Sequence, residues 1–167
     1  MAIERYRLTL SFDVIGEREF REVQKALTAA NRQLPRDFKN SVNEVARGLR
    51  DEARYQALQK FTAKKGHTGL RRKVAAGVQI VQIENGVKII TSMPEEDEAI
   101  IPRGLDGVRG WRHPVFGHKD RWVRQSQGAD SWFLETMRRG HEPLRNRLVR
   151  NINDTIEKID DAGRGIG

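Results

Sequence analysis

Val74-Ala75-Ala76-Gly77-Val78-Gln79-Ile80-Val81-Gln82-Ile83-Glu84-Asn85-Gly86-Val87-Lys88-Ile89-Ile90-Thr91-Ser92 is the stretch whose reading decides the fold. Two β-rich runs, Val74 to Ile83 and Val87 to Ser92, flank Asn85-Gly86. Both turn residues tolerate the positive φ of a type I′ turn, so the stretch predicts an antiparallel hairpin.

A hairpin alone is marginal in water and needs a cover. The segment upstream supplies one. From about Arg36 to Phe61, Phe38, Val42, Val45, Leu49, Ala53, Ala57 and Phe61 form one apolar stripe with helical spacing, opposite a highly charged face. Gly48 costs this helix about 1 kcal/mol. Before it, Phe20, Val23, Leu27, Ala30 and Leu34 mark a shorter helix, with Glu17 and Glu19 at its start and Pro35 interrupting the pattern. Earlier still, Tyr6, Leu8, Leu10, Phe12 and Val14 alternate with Arg5, Arg7, Thr9, Ser11 and Asp13, which predicts a half-buried strand ended by Gly16.

Downstream of the hairpin, periodicity is lost from Met93 to Gln127. This stretch opens with Pro94 and the acidic run Glu95-Glu96-Asp97-Glu98, and it reads as a long loop rich in Gly and Trp. Loops of this length in compact domains are usually functional. Helical spacing resumes near Asp130 or Ser131, either of which caps a short helix that Gly140 breaks. Pro143 then opens a last helix with Leu144, Leu148, Ile152, Ile156 and Ile159 on its buried stripe. The expected order is β-α-α-β-β-loop-α-α. It gives an α+β fold: a small antiparallel sheet with its hairpin packed by a long amphipathic helix and a C-terminal helix. The domain organisation is a single α+β domain over residues 1–162, with a strand-helix extension at 1–35, an assembly loop at 93–128 and a flexible tail at 163–167.

Composition narrows the function. The 167 residues include no cysteine, which removes disulfide scaffolds, thiolate metal sites and cysteine nucleophiles. Apolar runs are far shorter than the roughly 20 residues of a membrane helix. The alternating N-terminus lacks the apolar core of a signal peptide. The net charge is +8, which favours a polyanionic or acidic partner.

Three groupings merit a chemical reading. Asp106, His113, His118 and Asp120 are metal-type ligands in a short span, but their spacing matches no ligand motif, and turn roles suit them better. With no Ser-His-acid order and no phosphate-cradling loop, the chain reads as no enzyme, with no catalytic, cofactor or metal residues. Lys60, Lys64, Lys65, Arg71, Arg72 and Lys73 are six cations without an acid between them. Such a surface suits salt-sensitive contact with phosphates, and Lys64, Lys65, Arg71, Arg72 and Lys73 are the DNA-facing candidates. In a ring of identical subunits the acidic run 95–98 has a head-to-tail alternative to solvent: the basic patch of a neighbour. Finally, Trp111, Phe116, Trp122, Trp132 and Phe133 crowd one polar region, as interface anchors or as a satellite core.

Certain words go beyond pattern. His67-Thr68-Gly69-Leu70-Arg71-Arg72 sits between the long helix and the hairpin. Ile101-Pro102-Arg103-Gly104-Leu105-Asp106-Gly107 follows, then Gly110-Trp111-Arg112-His113-Pro114-Val115-Phe116-Gly117, Trp122-Val123-Arg124-Gln125 and Trp132-Phe133 before a terminal helix. Over about residues 36–160 this resembles the neck proteins of long-tailed double-stranded DNA phages, the tail-completion or head-to-tail joining proteins. The Trp111 to Gly117 run is its most specific part. Residues 1–35 fall outside the pattern, and the acidic run replaces the strand that usually follows the hairpin.

The resemblance implies a virion protein, assembled in the host cytoplasm, that forms a ring of six- or twelve-fold symmetry. Its partners would be head-closure or connector proteins on one side, tail terminator or tail tube proteins on the other, and DNA passing without sequence recognition. Interface residues would be Trp111, Arg112, His113, Pro114, Val115, Phe116 and Trp122, with Arg109, Arg112, Arg121 and Arg124 pairing with carboxylates or facing DNA. The alternatives are a tail terminator ring protein and a non-specific nucleic-acid-binding module.

Overall fold

A computed structural model describes residues 10–30, 32, 34–60, 69–95, 98–107, 110–115, 118–125 and 131–164. Lys64, Lys65, Phe61, Phe116, Arg109, Asp130 and the tail after Arg164 lie outside these residues, as does the strand pattern before Leu10. In chain order the elements are β1 (Ser11–Asp13), α1 (Glu17–Ala30), α2 (Leu34–Lys60), α3 (Leu70–Ala76), β2 (Val78–Ile83), β3 (Gly86–Thr91), α4 (Ile101–Asp106), β4 (Trp111–Val115), β5 (His118–Gln125) and α5 (Leu134–Arg164). The fold is α+β: a three-stranded antiparallel sheet, β1-β3-β2, under helices, and a separate β4-β5 ribbon.

The predicted hairpin is present, one residue displaced at its turn. Ile83 pairs with Gly86, so Glu84 and Asn85 are the two loop residues. Gly86 opens β3 at φ +152°, and a Cβ there would stand 3.3 Å from the Ile15 carbonyl oxygen. The start of the hairpin also differs from expectation. Val74, Ala75 and Ala76 end α3 rather than begin β2. A helix this short buries Val74 and Ala75 against the long helix and hands the chain to β2 at Gly77. At Gly77 a Cβ would lie 1.9 Å from the Ser92 carbonyl oxygen. The Ser92 N–H donates to the Gly77 carbonyl at 2.9 Å, which closes the base of the hairpin.

The N-terminal unit, read as an extension, contributes the third strand. Ser11, Phe12 and Asp13 pair with Ile90, Ile89 and Lys88, placing β3 in the centre. Pro35 lies at the second residue of α2, where its missing N–H costs no helical bond, so it opens the helix there. The stripe of α2 is as read: Phe38, Val42, Val45, Leu49, Ala53 and Ala57 are all buried. It meets Phe20 and Leu27 of α1, Val78 of β2, and Val87 and Ile89 of β3 in one core. Burying side chains of this size stabilises by roughly 1.5–3 kcal/mol each before entropy opposes it.

The segment 93–128 corrects the loop reading. It contains α4, opened by Pro102, and the two strands of the ribbon. Pro114 lies in β4 next to a register shift between Pro114 and Val115, the kind of irregularity at which a strand tolerates proline. The C-terminal reading is corrected as well. Neither Gly140 nor Pro143 divides the helix, and α5 runs unbroken for 31 residues. Its packing along α2, with Leu148 buried and Arg147 3.1 Å from Glu44, outweighs the local cost of those residues. No helix among the described residues is long and apolar enough to cross a membrane.

Candidate assembly interface

The β4-β5 ribbon holds most of the predicted interface residues. Its register pairs Trp111 with Gln125, Arg112 with Arg124, His113 with Val123 and Pro114 with Trp122. Directly opposed residues point to the same side, so Arg112, Trp122 and Arg124 share one face. All three are exposed, as are His118, Asp120, Arg121 and Val123. Trp122 shows 52% and Val123 41% of its surface. Since adjacent strand residues face opposite ways, apolar surface is open on both sides of the ribbon.

Two features make this surface costly in isolation. A two-stranded ribbon lacks the third strand that ordinarily stabilises one. Arg112 and Arg124 are like charges directly opposite each other, an unfavourable cross-strand pair. Neither has an ion-pair partner among the described residues. Between residues 111 and 125 four Arg and Lys stand against one acid, Asp120.

The aromatic cluster divides between the two readings offered for it. Trp132 and Phe133 are fully buried and pack edge to face, with ring centroids 5.6 Å apart. The indole N–H of Trp132 donates to the Pro102 carbonyl at 3.3 Å, joining α4 to the start of α5. Trp122, in contrast, belongs to the surface.

Asp106 takes a structural role outside the metal-type grouping. Its carboxylate accepts from the Ser131 hydroxyl at 2.7 Å, from the Phe133 N–H at 2.6 Å and from the Leu134 N–H at 3.3 Å. It therefore caps the N-terminus of α5 from another element, while Ser131 Oγ accepts the Glu135 N–H at 3.1 Å. Burial raises the carboxyl pKa above its ordinary value, against the lowering pull of these hydrogen bonds. Among the described residues no group of three or more His, Asp or Glu is placed to hold a metal ion.

The basic patch is distributed unevenly. Arg71 and Arg72 are exposed on α3. Lys73 is engaged within its own chain, 3.0 Å from Glu98 and 3.9 Å from Glu95. Glu95 and Glu98 of the acidic run thus meet Lys73 of the basic patch in cis.

A site that sequence reading passed over lies between α1, α2 and α5. It is an open cleft of about 560 Å³ with walls that include Val14, Val23, Phe38, Leu49, Leu148 and Ile152. Glu19 and Glu22 edge it on the α1 side, His141 and Arg145 on the α5 side. Each wall residue reads singly as core. Only the splay of three helices shows that their stripes do not fully close. No protein-family model, curated protein or solved structure matches this chain, so the ribbon, the cleft and the basic face of α3 are what bears on its function.

Proposed function

We propose that this chain is a structural component of the neck of a long-tailed double-stranded DNA phage. In this reading it forms a ring that joins the DNA-filled head to the tail around the DNA channel. The observation that carries it is the two-stranded ribbon, with Trp122 and Val123 exposed on opposite faces and Arg112 opposed to Arg124. Trp and Arg dominate the energetics of protein interfaces. Docking supplies what a lone ribbon lacks, namely cover for both faces and carboxylates or phosphates for the paired arginines.

The resemblance of residues 36–160 to neck proteins supports the same reading, since its most specific part, the Trp111 to Gly117 run, includes β4, and its Trp122 to Gln125 words fall in β5. The virion is the location it implies, with head-closure or connector proteins and tail terminator or tube proteins as neighbours. Arg71 and Arg72 provide a cationic surface for DNA passing without sequence recognition.

Electron microscopy of particles made without the gene tests the proposal. Full heads beside separate, complete tails are the expected result. Tails of abnormal length would assign the chain to the tail terminator instead, and intact virions would overturn both. The opposed arginines also favour a second reading, a non-specific nucleic-acid-binding module, which salt titration separates.

A further inference from the structure

We infer that the cleft between α1, α2 and α5 is the seat for the ribbon of a second copy of this chain, with Trp122 as the inserted side chain. The inference rests on the reading of the chain as a ring former, and it names the two surfaces that meet. Among the described residues both surfaces are partly open to solvent. Trp122 stands 52% exposed on the ribbon, and Val149, on the cleft wall, is 48% exposed.

Shape and chemistry match. The cleft volume of about 560 Å³ has room for an indole, and its walls are aliphatic and aromatic. A buried tryptophan removes roughly 150–250 Å² from water, the largest contribution a single side chain makes to an interface. The charges around the two surfaces are also complementary. Arg112 and Arg124 lie on the same ribbon face as Trp122, and Glu19 and Glu22 edge the cleft on the α1 side. On the α5 side the edge carries the cation Arg145, and the ribbon carries its single acid at Asp120. Among the described residues, Glu22 pairs with Arg18 at 3.1 Å in an exposed contact that is easily exchanged. Ribbon on one copy and cleft on the next is a head-to-tail contact, which closes into a ring when the rotation permits.

Charge reversal tests the pairing. The ribbon variant Arg112→Glu/Arg124→Glu and the cleft variant Glu19→Arg/Glu22→Arg alter exposed side chains, and circular dichroism checks that each folds as the parent does. Sedimentation velocity over a concentration series should show the parent associating and each variant alone monomeric. An equimolar mixture of the two variants should associate again, because each ribbon then meets a cleft of opposite sign. Trp122→Ala should weaken association by about 30-fold, as a hot-spot residue does. Variants that associate like the parent, a mixture that stays monomeric, or a parent that is monomeric throughout would each overturn the pairing. The neck role is read separately, from particle morphology, so either conclusion can fail without the other.

Discussion

The Asp106 carboxylate accepts the Phe133 backbone N–H at 2.6 Å, and through that bond α4 caps a helix that begins 28 residues later in the chain. Helix N-termini carry unsatisfied N–H groups, and a buried one needs a partner. Here the partner comes from a distance and is itself held by the Ser131 hydroxyl. Asp106→Ala should therefore cost about 1–3 kcal/mol, from the lost cap and the donors left buried. Urea denaturation measures this. A loss within 0.5 kcal/mol of zero, on the scale of about 0.5 kcal/mol expected for neutral surface changes, would show that the cap is dispensable.

The same carboxyl makes stability depend on pH. Burial raises its folded-state pKa above the ordinary 3.8. The folded chain therefore holds this proton more tightly than the unfolded chain does. The stabilisation from Asp106 is full below its unfolded value and is lost as pH rises through the raised folded value. Asp106→Asn abolishes the titration while keeping an oxygen acceptor. The stability of the parent relative to the Asn variant should fall as pH is raised from below 3.8, and a flat or rising difference would contradict the burial effect. Glu135 works in the opposite sense, because its bond from Arg139 lowers its pKa, and its contribution fades as pH falls. Its arginine partners stand in solvent, so it serves as the small control.

Two glycines separate close approach from helix propensity. At Gly77 a Cβ would collide with the Ser92 carbonyl at 1.9 Å, and at Gly48 it would meet nothing within 4 Å. Gly77→Ala should destabilise by about 1–3 kcal/mol or more, since backbone must move. Gly48→Ala, on the exposed side of α2, should stabilise by about 1 kcal/mol. Thermal melts of the pair should shift in opposite directions, and a shared direction would refute one of the two readings.

Helical spacing made α1 and α2 legible, because each buries one regular stripe, while alternation marked β1 and Asn85-Gly86 between two β-rich runs marked the β2-β3 hairpin. The ribbon escaped because both of its faces carry exposed residues: Arg112, Arg121, Trp122, Val123 and Arg124 are all open to solvent, so no one-sided apolar period exists to find. Gly140 and Pro143 misled because local propensity weighs against a helix that tertiary packing on α2 sustains. The interface candidates were legible as words and as an excess of Trp and Arg. The cleft was not, because an incompletely closed three-helix junction has the same apolar pattern as a closed one. Asp106 carried a signal only in hindsight: an acid next to Gly107 reads as a turn until its acceptor oxygens are placed.

The tryptophans give a sharp contrast between folding and assembly. Trp132 is fully buried and bonded to the Pro102 carbonyl, so Trp132→Ala should cost about 3–5 kcal/mol of stability. Trp122 is half exposed on the ribbon, and Trp122→Ala should cost less than about 1 kcal/mol. If the chain is a neck component as proposed, the ranking should invert in particles for the variant that still folds: Trp122→Ala chains should be stable yet incorporated poorly, as scored by virion yield. Equal loss of stability at both sites would place Trp122 in the core of the chain rather than at its interface.

Salt decides between a channel-facing surface and a dedicated binder. Counterion release makes log affinity for duplex DNA fall with log salt at about 0.9 per phosphate contacted. Arg71 and Arg72 on α3 and Arg112, Arg121 and Arg124 on the ribbon are exposed cations. A neck protein gains nothing from holding the DNA that slides past it, so binding at physiological salt should be weak and indifferent to sequence. If α3 is the DNA-facing surface and the ribbon the proposed protein interface, Arg71→Ala/Arg72→Ala should lower the slope by nearly two while Arg112→Ala/Arg124→Ala leaves it unchanged. The reverse assignment, with the ribbon setting the slope and binding tight at 0.15 M salt on the scale of about 10⁻⁸ M that specific binders reach, would make the ribbon a nucleic-acid reader and displace the joining role.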